Sequence, residues 1–159
     1  MIDINSSPDT QNSNIKKLKF KDEEMFNYDG HIRYFLTSCE ILPYHYTALD
    51  AQRLTVIYFS VIALDILNQL HRVDKNRIID YIYHLQLNPK NDEEIQSGKF
   101  GFVGGTFAHF QGEYSESKYQ QGHLAMIYTA LCTLITLGDD LSRVNKEAIA
   151  KGTYHIVKS

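Results

Sequence analysis

Apolar residues recur at three- and four-residue steps along several segments of the chain, which is the pattern typical of α-helices. In the first segment this period is carried by Ile32, Phe35 and Cys39. It predicts a helix over residues 28–42, and Pro43 is expected to end it because proline cannot continue a helix.

Two more helices are predicted between residues 50 and 87. Asp50 is a candidate N-cap for a second helix that reaches about Gln69 and is apolar on nearly all faces. Its many β-branched residues also permit a strand, but its length and its lack of Gly and Pro favour a helix. Asp74 is a candidate N-cap for a third helix over residues 75–87, which carries a single apolar stripe.

The C-terminal third of the chain repeats this alternation. A nearly all-apolar helix is predicted over residues 122–137, and Gly138 is a suitable residue to follow its last turn. A further amphipathic segment begins near Asn145.

The segment between residues 88 and 122 has a different character, with a polar stretch followed by one rich in Gly and aromatic residues. Within it, residues 101–105 read Gly-Phe-Val-Gly-Gly, which resembles part of a phosphate-binding loop. The Lys-Ser/Thr ending of such loops is missing, and no clear strand precedes the segment. A loop packed by its own aromatic side chains is therefore the favoured interpretation.

An internal repeat provides the main argument about the fold. Residues 70–85 align with residues 141–156 at an offset of 71, and the apolar helix from Leu54 lies over the one from Leu124 at nearly the same offset. The repeated unit is an apolar helix, a short turn and an amphipathic helix, and such units bury their faces by stacking on one another. The pattern predicts an all-α fold of two layers, either an α/α toroid or an α-solenoid, with the apolar helices inside. The identical pairs are Leu70/Leu141, Arg72/Arg143, Val73/Val144, Lys75/Lys146, Ile78/Ile149, Tyr83/Tyr154 and His84/His155.

Length, composition and charge narrow the possible classes of protein. The 159 residues suit one domain, with a polar tail over residues 1–22 and a helical domain over residues 23–159. The net charge of -3 shows no basic excess, which argues against nucleic-acid binding. The N-terminus has no apolar core for a signal peptide, and the longest apolar runs are shorter than a membrane span needs, so a cytoplasmic location without a membrane span is expected.

Several strings resemble the prenyltransferase β-subunit family, and within it the β subunits of type I protein geranylgeranyltransferases. They are RYFLTSCEILPYHYTALDAQRLTVIYFSVIALDIL, DYIYHLQ and GHLAMIYTALCTLITLGDDLSRVNKEA, and the similarity covers about residues 27–150. The resemblance implies an α/α toroid, also found in terpenoid cyclases, of which this chain would contain about two helix pairs and an incomplete ring.

The resemblance also implies partners and chemistry. It implies a heterodimer with a helical α subunit and transfer of geranylgeranyl from geranylgeranyl diphosphate to the Cys of a C-terminal CaaX motif that usually ends in Leu, on proteins such as small GTPases. The implied cofactor is Zn, which activates that Cys as a thiolate.

Five residues match cavity positions of the family. Thr55 matches a small residue that leaves room for the fourth isoprene unit, and Phe59 matches a cavity aromatic. His123 and Ala125 match residues that line the pocket for the CaaX peptide, and Tyr128 matches a residue beside the lipid chain. Apart from the resemblance, each of these residues would be interpreted as a core or first-turn residue.

The resemblance does not extend to the catalytic residues of the family. No part of the chain matches the zinc ligands or the residues that hold the diphosphate, and the similarity fades after Ala148. No catalytic or metal-binding residue is therefore predicted in this chain. The alternative hypothesis is a non-catalytic short form that binds the α subunit without turnover.

Local motifs suggest no zinc site of another kind. His109 and Glu113 are four residues apart, but two ligands do not make a site. Asp139 and Asp140 are interpreted as a solvated turn after a helix, and Cys39 and Cys132 as small core residues.

Overall fold

The computed structural model describes residues 26–42, 44–89, 100–106 and 122–158, and these form an all-α fold with one small strand pair. The elements in chain order are helix α1 (Tyr28–Glu40), a 3₁₀ helix (Tyr44–Gln52), α2 (Arg53–Ile66), a short 3₁₀ turn (Leu70–Arg72), α3 (Lys75–His84), β1 (Gln86–Leu87), β2 (Gly101–Phe102), α4 (Leu124–Leu137) and α5 (Lys146–Lys158).

The helices form the two layers that the repeat predicts. The apolar helices α2 and α4 pack side by side, α1 packs on α2, and α3 and α5 pack on the outer side of α4. The core lies between the layers, where Ile57 and Val61 of α2 meet Ile82 of α3 and Leu134 of α4. Inner helices therefore alternate with outer ones along the chain, and the prediction of an all-α toroid architecture is confirmed.

Two of the helix-end signals that the sequence pattern predicts are confirmed, and one is wrong. Asp74 caps α3, because its carboxylate accepts a 3.1 Å hydrogen bond from the Arg77 amide. Gly138 follows α4 with a φ of 87°, the left-handed conformation that glycine adopts readily. The expectation that Asp50 caps the second helix is wrong, because a 3₁₀ helix runs directly into α2 and places Asp50 inside it.

The Gly-rich segment contributes to the core. β2 pairs antiparallel with β1, which ends α3 earlier than predicted, and Phe102 and Val103 are almost completely buried. A Cβ atom on Gly104 or Gly105 would overlap main-chain carbonyl oxygens of the 3₁₀ helix, so only glycine permits this close approach. The aromatics Phe100 and Phe102 are buried as predicted, but residues 101–102 form a strand rather than a loop, and Phe102 packs into the helical core. His109 and Glu113 lie outside the described residues.

One helical run of the described chain, Tyr44–Ile66, is long and apolar enough to cross a bilayer by length and composition alone. It becomes this long because the 3₁₀ helix continues into α2, a continuity that the hydrophobic pattern does not predict. A core helix meets the same criterion, and α2 packs against both α1 and α4. The run is therefore weak evidence for a membrane span.

The two repeats are joined through a polar cluster around Tyr83, which we call the repeat joint (Asp80, Tyr83, Asp139 and Arg143). The Tyr83 hydroxyl donates a 2.6 Å hydrogen bond to Asp139, and the Arg143 guanidinium lies 4.2 Å from the centre of the Tyr83 ring. Arg143 also pairs with Asp80 at 2.6 Å. Burial and the bond to Asp139 both raise the pKa of Tyr83, so its hydroxyl stays protonated and able to donate.

Substitution of Tyr83 tests the repeat joint. We expect Tyr83→Phe to lower the free energy of unfolding by about 1.5–3 kcal/mol, because a hydrogen bond to a charged group is lost. Arg143→Gln should cost less than about 1 kcal/mol, since its ion pair is exposed. Urea unfolding of the chain measures both effects. Tyr81→Phe is the control, because the structure records no hydrogen bond of the Tyr81 hydroxyl within the described residues, and an equal loss in both Tyr variants would contradict a role for the Asp139 contact.

Close packing of α5 on the β2 segment gives a second prediction. In a helix interior, Gly→Ala ordinarily stabilises by up to about 1 kcal/mol. A Cβ atom on Gly152 would instead overlap the Phe100 carbonyl oxygen, so we expect Gly152→Ala to destabilise by about 1–3 kcal/mol. Urea unfolding should show this reversal of sign, while Ala150→Gly, at an exposed site of α5, should follow the ordinary propensity. A more stable Gly152→Ala variant would show that α5 does not approach the segment this closely.

Candidate functional site

The inner helices expose a continuous apolar surface on the side away from the outer layer. We call it the inner face, and it comprises Thr55, Tyr58, Phe59 and Ile66 of α2 and Leu124, Ala125, Tyr128 and Ile135 of α4. Phe59 and Ile66 are 63% and 74% exposed, and Tyr128 and Ile135 are 57% and 61% exposed. A soluble domain rarely leaves a contiguous surface of such side chains without a ligand or partner.

The helical period explains why these side chains share one surface. At 100° per residue, Phe59 lies on the opposite side of α2 from the buried Ile57 and Val61. Tyr128 lies likewise away from the buried Ala130 and Leu134 of α4. Both helices are therefore apolar on two sides, one that packs in the core and one that lines the open inner face.

Two contacts hold the inner face together across α2 and α4. The Thr55 hydroxyl donates to the Met126 sulfur at 3.7 Å, and the hydroxyls of Tyr58 and Tyr128 lie 3.1 Å apart. The bond to Tyr58 raises the pKa of Tyr128 to about 12. The structure thus brings Thr55 and Tyr128, which the sequence assigned to the site, to the same helix–helix seam.

The remaining predicted site residues lie at the edges of this seam. The Phe59 ring lies 5.1 Å from the ring of Tyr58, centre to centre. His123 occupies the N-cap position of α4 in an extended conformation, without a side-chain capping bond, and both His123 and Ala125 are exposed. All five predicted residues are accessible to a ligand, and their assignment to lipid or peptide binding stays a prediction.

The sequence pattern did not identify Tyr58, Ile66 and Ile135 as parts of the inner face. Ile66 lies two turns after Phe59, and Ile135 lies two turns after Tyr128. The seven-residue spacing could have identified these residues from the sequence. A helix that is apolar on all sides has a second apolar side besides the one in the core, and that side must face a ligand or another part of the protein.

The acidic and cysteine side chains of the described residues form no metal-binding group. Among the described residues, no group of three or more His, Cys, Asp or Glu residues is placed to hold a metal ion. Asp139 is not simply solvated, as the sequence suggested, because it accepts hydrogen bonds from Tyr83 and from the Leu141 amide. Cys39 is a half-buried free thiol whose pKa burial raises to about 11, which makes it a poor nucleophile at neutral pH.

The chain matches the family described as the prenyltransferase alpha-alpha toroid domain over residues 26–158. It belongs to the prenyltransferase α/α toroid family. This match covers every described helix, including α5, which lies partly beyond the residues that carry the resemblance in the sequence.

Two relatives of this prenyltransferase-family chain are named geranylgeranyl transferase type-1 subunit beta. The one from Arabidopsis thaliana is 33% identical over 126 residues, and the one from Dictyostelium discoideum is 33% identical over 135 residues. These alignments cover 78% and 77% of this chain but 34% and 38% of the relatives. The chain therefore spans about a third of the length of the relatives that it matches.

Proposed function

We propose that this chain acts as part of the β subunit of a protein geranylgeranyltransferase, in which its inner face forms one wall of the cavity that binds the C20 isoprenoid and the CaaX end of the protein substrate. The observation that carries the proposal is the exposed apolar seam between α2 and α4, where Thr55, Phe59 and Tyr128 are accessible on neighbouring helices.

The chemistry of the inner face suits an isoprenoid. A branched hydrocarbon chain gains about 0.8 kcal/mol for each CH₂ group removed from water, so it needs a long apolar wall rather than polar partners. Phe59, Ile66 and Ile135 supply that wall along two neighbouring helices. The polar atoms on the seam, the hydroxyls of Thr55, Tyr58 and Tyr128, bond to neighbouring groups and do not compete for the lipid.

Thr55 is the residue proposed to set the length of the lipid site. Thr55 is half-buried beside Met126, so its side chain would limit the space that a lipid can use at the seam of α2 and α4. A bulky aromatic at this position would fill that space and shorten the wall by about one isoprene unit. The small residue therefore favours a geranylgeranyl donor over a farnesyl donor.

The partners of this proposal are an α subunit, geranylgeranyl diphosphate and proteins that end in a CaaX motif, in the cytoplasm. The names of the relatives as type-1 β subunits support the α subunit and the prenyl donor. His123 and Ala125, at the start of α4, are the residues proposed to contact the CaaX end, since both are exposed close to Tyr128 in the chain.

Zinc is the cofactor of the proposed reaction, but the described residues do not provide its site. No group of three suitable donors is present among them, and the thiol of Cys39 has a raised pKa. The role proposed for this part of the chain is therefore to bind and orient the lipid and to exclude water from it.

A photoreactive geranylgeranyl diphosphate analogue tests the proposed binding. With the chain assembled with an α subunit, we expect cross-links on peptides that contain Phe59 and Tyr128, and their loss when unlabelled geranylgeranyl diphosphate is in excess. Cross-links confined to the outer helices, or unaffected by the competitor, would contradict the proposal.

The non-catalytic alternative is tested by turnover. It rests on the sequence, in which no part matches the zinc ligands of the family. With an α subunit, zinc and a CaaX peptide ending in Leu, it predicts lipid binding without transfer of labelled geranylgeranyl. Zinc-dependent transfer would exclude it.

A further inference from the structure

A cavity lies on the outer side of the inner helices, away from the inner face. Its volume is about 510 Å³, and it is lined by the end of α1, the 3₁₀ helix, the start of α2 and one side of α3. We call it the outer cavity. A volume of this size is typical of sites for small molecules, and none of the residues proposed to bind the isoprenoid or the peptide lines it.

The deep wall of the outer cavity carries a buried cation. Arg53 is only 8% exposed, and its Nη2 atom donates a 2.8 Å hydrogen bond to the Glu40 carbonyl oxygen. A guanidinium has five N–H donors, and the structure records no other acceptor for them among the described residues. The ion pairs of the described chain are those of Arg143 and Lys151, so Arg53 has no described carboxylate within 4.0 Å.

A buried charge without a carboxylate in direct contact is costly, and proteins ordinarily pair such groups. Here the guanidinium lines a cavity, and the described residues leave several of its donors without an acceptor. This arrangement is typical of a site that receives an anionic group from a ligand.

The rim of the outer cavity limits the charge that the ligand can carry. Arg72 and Arg77 are exposed at the rim, but Glu40, Asp50 and Asp74 also line it. The walls are thus formally neutral, and only Arg53 is buried. A phosphate dianion would be repelled by the three carboxylates and would have only one buried cation to bind. A single carboxylate, in contrast, matches one guanidinium in charge and in planar geometry.

The rest of the cavity surface is apolar. Leu36 of α1, Ile57 of α2 and Ile78 of α3 line it below the rim, and Ile57 and Ile78 are buried. We propose that the outer cavity binds a small carboxylic acid, with its carboxylate on Arg53 and its short apolar body against Leu36, Ile57 and Ile78.

Calorimetric titration of the full chain with octanoate tests this site. We expect saturable one-to-one binding, and no comparable binding of octylamine or octanol, since neither supplies an anion to Arg53. The uncharged inner face would instead take up octanol at least as well as octanoate. Equal binding of the three compounds, or no saturable binding of octanoate, would overturn the proposal.

Three variants locate the bound acid. Arg53→Gln should weaken octanoate binding about tenfold or more, because a charge-assisted hydrogen bond is lost. Arg77→Glu reverses an exposed rim charge, leaves the core untouched and should weaken binding at least about threefold. Arg33→Glu is the matched control on the exposed surface of α1 outside the cavity and should leave affinity unchanged. If Arg53→Gln does not fold, the contrast between Arg77→Glu and Arg33→Glu decides, and equal effects of these two would refute the site.

Discussion

On the proposed function, replacing Thr55 with Trp should shift the lipid preference of the chain assembled with an α subunit from a C20 towards a C15 prenyl diphosphate. Thr55 lies at the seam of α2 and α4 with its hydroxyl 3.7 Å from the Met126 sulfur. An indole there would displace Met126 and occupy the space of the last isoprene unit. Excluding its five carbons from an apolar wall forfeits as much as about 4 kcal/mol of burial, so the ratio of C20 to C15 affinity should fall at least about tenfold.

Competition between geranylgeranyl and farnesyl diphosphate for the photoreactive analogue measures this ratio. Thr37→Trp is the matched control, because Thr37 is exposed on α1 and lies outside the inner face. It should leave the ratio unchanged. If Thr55→Trp and Thr37→Trp give the same ratio, Thr55 does not face the lipid, and the proposed assignment of the inner face as the cavity wall loses its main support.

The two layers of this fold were predictable because the hydrophobic pattern contains the same unit of two helices twice. Val61 and Leu134 belong to helices that are apolar all round, and Ile78 belongs to a one-faced helix, so inside and outside could be assigned from the order of residues alone. The Asp74 cap was predictable for a related reason, since capping depends on a local contact between the side chain and an amide three residues later.

Features that depend on contacts between distant residues were not predictable in this way. The Asp50 cap failed because a 3₁₀ helix without an apolar period continues into α2. Asp139 looked like part of a solvated turn, but its partner Tyr83 is 56 residues away. The burial of Arg53 likewise depends on the packing of α1, α2 and α3.

The candidate site was predictable only in part. Family resemblance placed Thr55, Phe59 and Tyr128, but composition gave no reason to separate them from core residues. The structure shows that Phe59 and Tyr128 are exposed, which core residues are not. Whether a large apolar side chain is exposed depends on which elements pack against its helix, and a single sequence does not specify that packing.

The largest loss of stability is expected from Phe102→Ala, in the segment that the sequence pattern described least well. Phe102 is fully buried in the core formed by α2, α3 and α4, and its carbonyl oxygen accepts a 3.4 Å hydrogen bond from the His123 amide at the start of α4. Truncation should lower the free energy of unfolding by about 3–5 kcal/mol in urea unfolding, because a large cavity opens between the layers.

Phe59→Ala is the control, because it removes an exposed aromatic ring instead of a buried one. The Phe59 side chain is 63% exposed on the inner face, so its truncation should change the free energy of unfolding by only about 0.5 kcal/mol. A comparable loss in both variants would mean that the inner face is packed in solution, and the cavity wall proposed for the isoprenoid would then be closed. A large loss for Phe102→Ala alone would show that the short strand pair belongs to the core, and that the inner face stays open for a ligand because the core does not need it.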